Sequence, residues 1–300
     1  MKPSSETVNE GISFEIITPP RAWKAYAIRQ WATKAARLLS KHGISHLNLP
    51  EVVNETRPGG RTVPFLPKMD HVQFGELVRE QRPGLALIPH KRCGLIAKES
   101  FARWVQGVHD KTIRHIVVVG GESHKITYKG FSVSEAAAFI EQSIPDLQVG
   151  GITIFTRKNE VERIVAKVKS GITFFLSQII FENDTMKQGL MGLRRLCWDE
   201  ELEFPDVYVS LAPAARVRDI EFMQWLGVEF PPAVRSYLTG KDEKGVEART
   251  FEVLERLVDD LITFMDKENF SLGFNIGHVL YANLELSERL IELVTSRLNA

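Results

Sequence analysis

One arrangement recurs along this chain and limits its folding options more than any other feature. A short apolar run is followed by a turn, then by a stretch of helical periodicity. The runs are Ile12–Ile17, Ser45–Leu49, Leu85–Pro89, His115–Val119, Leu147–Ile154, Thr173–Gln178, Val207–Leu211 and Phe270–Phe274. Strands alternating with helices imply parallel βαβ units. Eight such units in 300 residues predict an α/β fold of the (β/α)8 TIM-barrel type rather than an open doubly wound sheet. No low-complexity linker or composition break divides the chain, so a single (β/α)8 domain over residues 1–300 is expected. The stretch between the seventh and eighth runs exceeds one helix, which predicts extra helices near Pro232–Leu238 and Val246–Met265.

The intervening segments carry checkable patterns. In Trp23–His42, the residues Ile28, Trp31, Ala35, Leu38 and Leu39 share one face, and Gly43 follows as a stop. Val161, Ile164, Val165 and Val168 sit at i, i+3, i+4 and i+7, as do Leu290, Leu293, Val294 and Leu298 within one residue.

Charge and cysteine usage remove several function classes. Lys+Arg and Asp+Glu are both 38, so the chain lacks the basic excess of a nucleic-acid binder. Cys93 and Cys197 are too few for a disulfide framework or a cysteine zinc site and fit a reducing compartment. The polar, acidic stretch Met1–Gly11 has no signal-peptide pattern, and no apolar run approaches the ~20 residues of a membrane span. A cytoplasmic location without membrane association is therefore expected, and a homo-oligomer is compatible with the sequence. The eight histidines are scattered without ligand spacing, so no metal site is predicted. Neither a nucleotide-binding glycine fingerprint nor a G-x-S-x-G elbow is present.

In a barrel of this kind the C-terminal strand ends build the active site. On the first strand, Ile12, Phe14 and Ile16 share one face and Ser13 and Glu15 the other. The apolar face suits the helix layer, which points Glu15 into the barrel. A carboxylate there is costly unless it is paired or functional, so a buried ion pair and a catalytic group are both open readings. The remaining strand ends read Asn48-Leu49-Pro50-Glu51, Pro89-His90-Lys91, Gly120-Gly121-Glu122, Ser177-Gln178 and Gly273-Phe274-Asn275. Six strands thus end in polar groups at one mouth.

These residues resemble a known family. Ser13-Phe14-Glu15-Ile16-Ile17-Thr18-Pro19-Pro20 is similar to the opening strand of methylenetetrahydrofolate reductases, with Thr18 as one extra residue. The likeness continues at Pro89-His90, at Arg114-His115-Ile116-Val117 through Gly121-Glu122, at Lys167-Val168-Lys169-Ser170-Gly171 through Ser177-Gln178, and near Leu272-Gly273-Phe274-Asn275. The resemblance implies a (β/α)8 barrel that interconverts 5,10-methylenetetrahydrofolate and 5-methyltetrahydrofolate. The hydride would come from NADH or NADPH and pass through FAD at the C-terminal mouth. By the same resemblance Glu15 is the general acid that helps open the five-membered ring, and Glu122 stands close to flavin and folate where the family has Asp. Gln178 would hold the pterin, with Asn275 as a further substrate contact. His90, Gly121, Glu122 and Lys167 would contact the cofactor.

The sequence also departs from the family pattern. Pro50 replaces a Thr, Gly120 an Arg, and Glu160 and Arg163 an Asp and an Asn, while the loop within Thr153–Thr156 is shorter and lacks a Tyr and a His. Weak or altered FAD binding follows as an expectation. Two alternatives stand beside it: a flavin-independent reductase of the same substrate, and a folate-binding barrel of the methyltransferase type.

Overall fold

Side-chain alternation on the strands sets the architecture. The structure is a computed structural model that describes residues 11–55, 57, 59–121, 129–240 and 244–299. Phe14 and Ile16 are fully buried against the helices, while Ser13 and Glu15 point the other way. Repeated on every strand, this alternation closes a parallel barrel in the order β1-β2-β3-β4-β5-β6-β7-β8. The strands are β1 Ile12–Ile16, β2 His46–Leu49, β3 Ala86–Arg92, β4 His115–Val119, β5 Gln148–Thr153, β6 Ile172–Ser177, β7 Asp206–Leu211 and β8 Gly273–His278. β1 pairs with both β2 and β8, which completes the ring.

The helices are α1 Ala25–Lys41, α2 His71–Arg79, α3 Lys98–His109, α4 Val133–Ser143, α5 Glu160–Val168, α6 Asp184–Asp199, α7 Val217–Trp225, α8 Pro232–Leu238, α9 Val246–Glu268 and α10 Leu284–Leu298. α1 buries Trp31, Ala35, Leu38 and Leu39, four of the five residues that share its apolar face. It stops as Gly43 enters the left-handed region at φ +65. There the Ile44 amide returns to the Leu39 carbonyl at 3.0 Å and the Gly43 amide to Ser40 at 3.3 Å, closing a Schellman turn. α8 and α9 fall where extra helices are expected, and α7 precedes them. With the β7 end they bury Phe181, Ala212, Ile220, Met223 and Leu238 in a cluster of their own. None of the described helices is long and apolar enough to cross a membrane.

Inside the barrel, large side chains lie over small ones. A Cβ on Gly150 would stand 2.3 Å from the Phe174 ring, and one on Gly273 2.4 Å from Tyr208. Phe174 and Tyr208 fill the space those glycines leave and cluster with Ile88, Val117 and Leu176. The barrel is therefore packed, with its open end at the strand C-termini.

Two strands differ from the sequence reading by more than one residue at a boundary. β8 begins at Gly273, not Phe270. Phe270 instead follows the left-handed Asn269 that ends α9, and its ring stacks on Phe264 at 5.1 Å. It is a helix-stop anchor, and its apolar side chain imitates a strand start. β3 in turn runs on to Arg92. The consequence is that Asn275 and His90 lie within their strands, below the rim of the mouth.

Candidate active site

Four strands contribute inward-facing polar residues at one level: Ser13 on β1, Asn48 on β2, His90 on β3 and Asn275 on β8, joined by Ser210 on β7. All are buried. Asn48 Nδ2 donates to Ser13 Oγ at 3.1 Å and to Asn275 Oδ1 at 3.0 Å. Ser13 Oγ donates to Asn275 Oδ1 at 3.1 Å, and Asn275 Nδ2 donates to Ser210 Oγ at 3.1 Å. His90 Nε2 meets Asn48 Oδ1 at 3.3 Å. On β6, Ser177 Oγ accepts the Ser210 amide at 2.8 Å. A buried polar group is tolerable only when hydrogen-bonded, and this belt satisfies its members across six strands.

Glu15 stands one layer above. Its Cα pairs with Gly277, two residues on from the Ser13–Asn275 pair, so no β8 side chain separates its carboxyl from Asn275. Burial raises its pKa from 4.5 to about 7, against an opposing hydrogen bond from the Asn275 side chain. No charged neighbour contributes to that shift, so among the described residues the ion-pair reading finds no partner. The result is a carboxyl able to hold a proton near neutral pH. Burial pushes His90 the other way, to about 3, with His71 adding to the effect, so its imidazole is neutral.

Around the rim, the segment joining β2 to α2 crosses the mouth. It pairs with the loop after β1 through Pro20 and Lys68. Lys68 Nζ donates to the Tyr281 hydroxyl at 2.9 Å. Arg61 stacks on Trp225 at 4.7 Å and Phe222 at 5.5 Å of α7, and Arg57 donates to the Leu226 carbonyl at 2.8 Å. Beneath this strap, Glu51 pairs with Lys91 and accepts the Arg92 amide at 2.8 Å, while Glu55 binds Arg92 at 2.7 Å. Sequence reading missed these strap residues. Their only signal is the density of charge between Glu51 and Lys68.

The remaining sequence-predicted residues fall in three places. Gln178 is on the rim at the end of β6, where its Oε1 accepts the Ile179 amide at 3.0 Å, and its side-chain nitrogen reaches toward Gly227 after α7. Gly121 is exposed at the end of β4, and Glu122 lies outside the described residues. Lys167 is engaged beside the C-terminal end of β5. Its Nζ donates to the Ile152 carbonyl at 2.8 Å, lies 3.8 Å from Glu160 and covers the outward-facing Phe175 ring. Glu160 is itself buried and accepts the Ile154 amide at 3.1 Å and the Thr153 hydroxyl at 3.2 Å. The α5 N-terminus thus carries Glu160 and Glu162 in its first turn. A helix start suited to a phosphate offers free amides and no nearby acid. Lys167 and Glu160, at positions that the resemblance assigns to flavin contact, are thus engaged with this protein's own groups.

A family described as mycobacterial methylenetetrahydrofolate reductase matches residues 12–212, from β1 to just beyond β7. No curated protein matches the chain. Among solved structures, an uncharacterized protein from Clostridium thermocellum that binds two copies of 5-methyl-5,6,7,8-tetrahydrofolic acid superposes with a TM-score of 0.80. It is 19% identical over 97% of this chain and 96% of that one. A long-chain alkane monooxygenase aligns over 96% and 91% of the two chains at 12% identity and a TM-score of 0.57. EDTA monooxygenase from Chelativorans sp. gives 0.53 at 9% identity over 96% and 94%. At such identities the likeness concerns the barrel.

Proposed function

The chain belongs to the mycobacterial methylenetetrahydrofolate reductase family, and from that premise we propose that it interconverts 5,10-methylenetetrahydrofolate and 5-methyltetrahydrofolate, with NADH or NADPH as the hydride source. The observation that carries this reading is Glu15: an inward carboxyl on the first strand, raised to about 7 without a charged partner. Reduction needs one proton and one hydride. Glu15 gives its proton to N10 as the C–N10 bond of the five-membered ring breaks, which leaves an N5 iminium. The nicotinamide C4 hydride then adds to the iminium carbon, giving the methyl group and NAD(P)+. Solvent reprotonates Glu15 for the next turnover. The reverse reaction uses the same carboxylate as a base.

Hydride passes directly from the nicotinamide to the folate in this proposal. The disposition of Lys167 and Glu160 supports that route over FAD. Gln178 on the rim is the proposed pterin-facing amide, and Gly121 leaves the end of β4 without a side chain where a flat ring can approach. The Clostridium thermocellum structure, with its bound methylated folate, supports the substrate class. The test is an anaerobic assay of NADH and NADPH oxidation with methylenetetrahydrofolate, with and without added FAD. Turnover independent of FAD is expected. Turnover only with FAD would restore the flavin route, and no formation of methyltetrahydrofolate would remove the reductase reading.

A further inference from the structure

The belt beneath Glu15 has a direction. Asn48 spends both side-chain N–H bonds on Ser13 Oγ and Asn275 Oδ1, at 3.1 and 3.0 Å. Its carbonyl oxygen is left to accept, and the group facing it is His90 Nε2 at 3.3 Å. A neutral imidazole has one N–H, so this contact assigns the proton to Nε2. Asn275 Oδ1 is taken from two sides, by Asn48 and by the Ser13 hydroxyl at 3.1 Å. Its amide nitrogen must then face the opposite way. One N–H goes to Ser210 Oγ at 3.1 Å, and the other is free for the Glu15 carboxyl above.

Resting on the general-acid reading of Glu15, we propose that Ser13, Asn48 and His90 are positioning residues that lock the Asn275 amide with its N–H, never its C=O, toward Glu15. The reason is chemical. An N–H from Asn275 occupies one carboxyl oxygen as an acceptor and leaves the acidic O–H directed outward, toward substrate. A C=O in the same place would accept that O–H and withdraw the proton from N10. Reversing the string requires both amides to flip and the imidazole proton to move to Nδ1, so the direction is held collectively.

The ionisable group within the belt is His90. At the neighbouring strand ends are the Glu51–Lys91 pair and Arg92, and Glu122 follows β4. The test therefore measures the pH dependence of kcat/KM for Ser13→Ala, Ser13→Thr and Asn48→Ala, each also in the Glu122→Gln background. It is joined by ¹⁵N NMR of the His90 tautomer. In the parent protein the His90 signal is expected to show Nε2–H. Ser13→Ala and Asn48→Ala release the amide, so the alkaline limb should rise by about one pH unit and kcat should fall ~10-fold as the acid is misdirected. Ser13→Thr keeps the hydroxyl and should keep the parent profile. Folded Ser13→Ala protein with unchanged limb and kcat, or an Nδ1–H tautomer in the parent, overturns the proposal. Glu15→Gln in the same series separates the two levels: its retained turnover would sink the general-acid reading itself, whereas its inactivity beside an unmoved Ser13→Ala profile sinks only the positioning role.

Discussion

Replacing Glu15 by Gln tests chemistry and stability at once, because the two follow from the same burial. The folded carboxyl titrates at about 7 against 4.5 when unperturbed. At about 1.4 kcal/mol per unit, that difference corresponds to roughly 3 kcal/mol, an upper figure for a group at a partly open mouth. The sign follows from proton counting. Between pH 4.5 and 7 the native protein binds the proton and the unfolded chain does not, so stability falls as pH rises through that window. The contribution is fully present below 4.5 and lost above 7. Gln cannot ionise. Glu15→Gln should therefore match the parent at pH 4.5 and be more stable at pH 8, by up to about 3 kcal/mol. Denaturant midpoints at the two pH values measure this. Turnover of methylenetetrahydrofolate should drop by ~10²–10⁴, the usual worth of a general acid. A variant destabilised by several kcal/mol at both pH values would instead mark Glu15 as half of a buried ion pair and refute the reasoning.

Other expectations follow from separate parts of the molecule. His90, His115 and His278 are held by burial at about 3, about 4 and about 4. The unfolded chain thus takes up more protons below 6.5, and stability should fall on acidification from 6.5 toward 4. Three histidines outweigh the opposite slope of Glu15, so unfolding free energies from urea titrations near pH 5.5 should change by about 2 kcal/mol per pH unit; a flat profile would contradict their neutral burial. Gly150→Ala drives a Cβ into Phe174, 2.3 Å away, and should cost ~1–3 kcal/mol in calorimetric stability. Lys167→Met leaves the buried Glu160 without its cation and should lower stability by ~3 kcal/mol while leaving the KM for NADH unchanged; a raised KM with unchanged stability would place Lys167 in the cofactor site.

The barrel was legible because a period of two and a period near 3.6 each repeat along most of the chain. Phe14 and Ile16 against Ser13 and Glu15 was enough to aim the first strand correctly. The depth of the polar residues was not legible. Asn48, His90 and Asn275 read as the polar ends of strands, since a lone sequence offers no sign that polar side chains on three strands satisfy one another inside a barrel. Phe270 read as a strand for the reason that it packs well, although a left-handed Asn269 makes it part of a helix stop. Lys167 read as a cofactor contact because the surrounding pattern resembles the family. In the structure its ammonium donates to the Ile152 carbonyl.

The most direct test of the central claim is a single-turnover experiment. Flavin-free protein is mixed anaerobically with NADH or NADPH deuterated at C4 and with methylenetetrahydrofolate, and the folate product is analysed by mass. The expected product is 5-methyltetrahydrofolate carrying deuterium in its methyl group, formed by the parent protein and not by Glu15→Gln. Unlabelled product, or label that enters only after FAD is supplied, would contradict it.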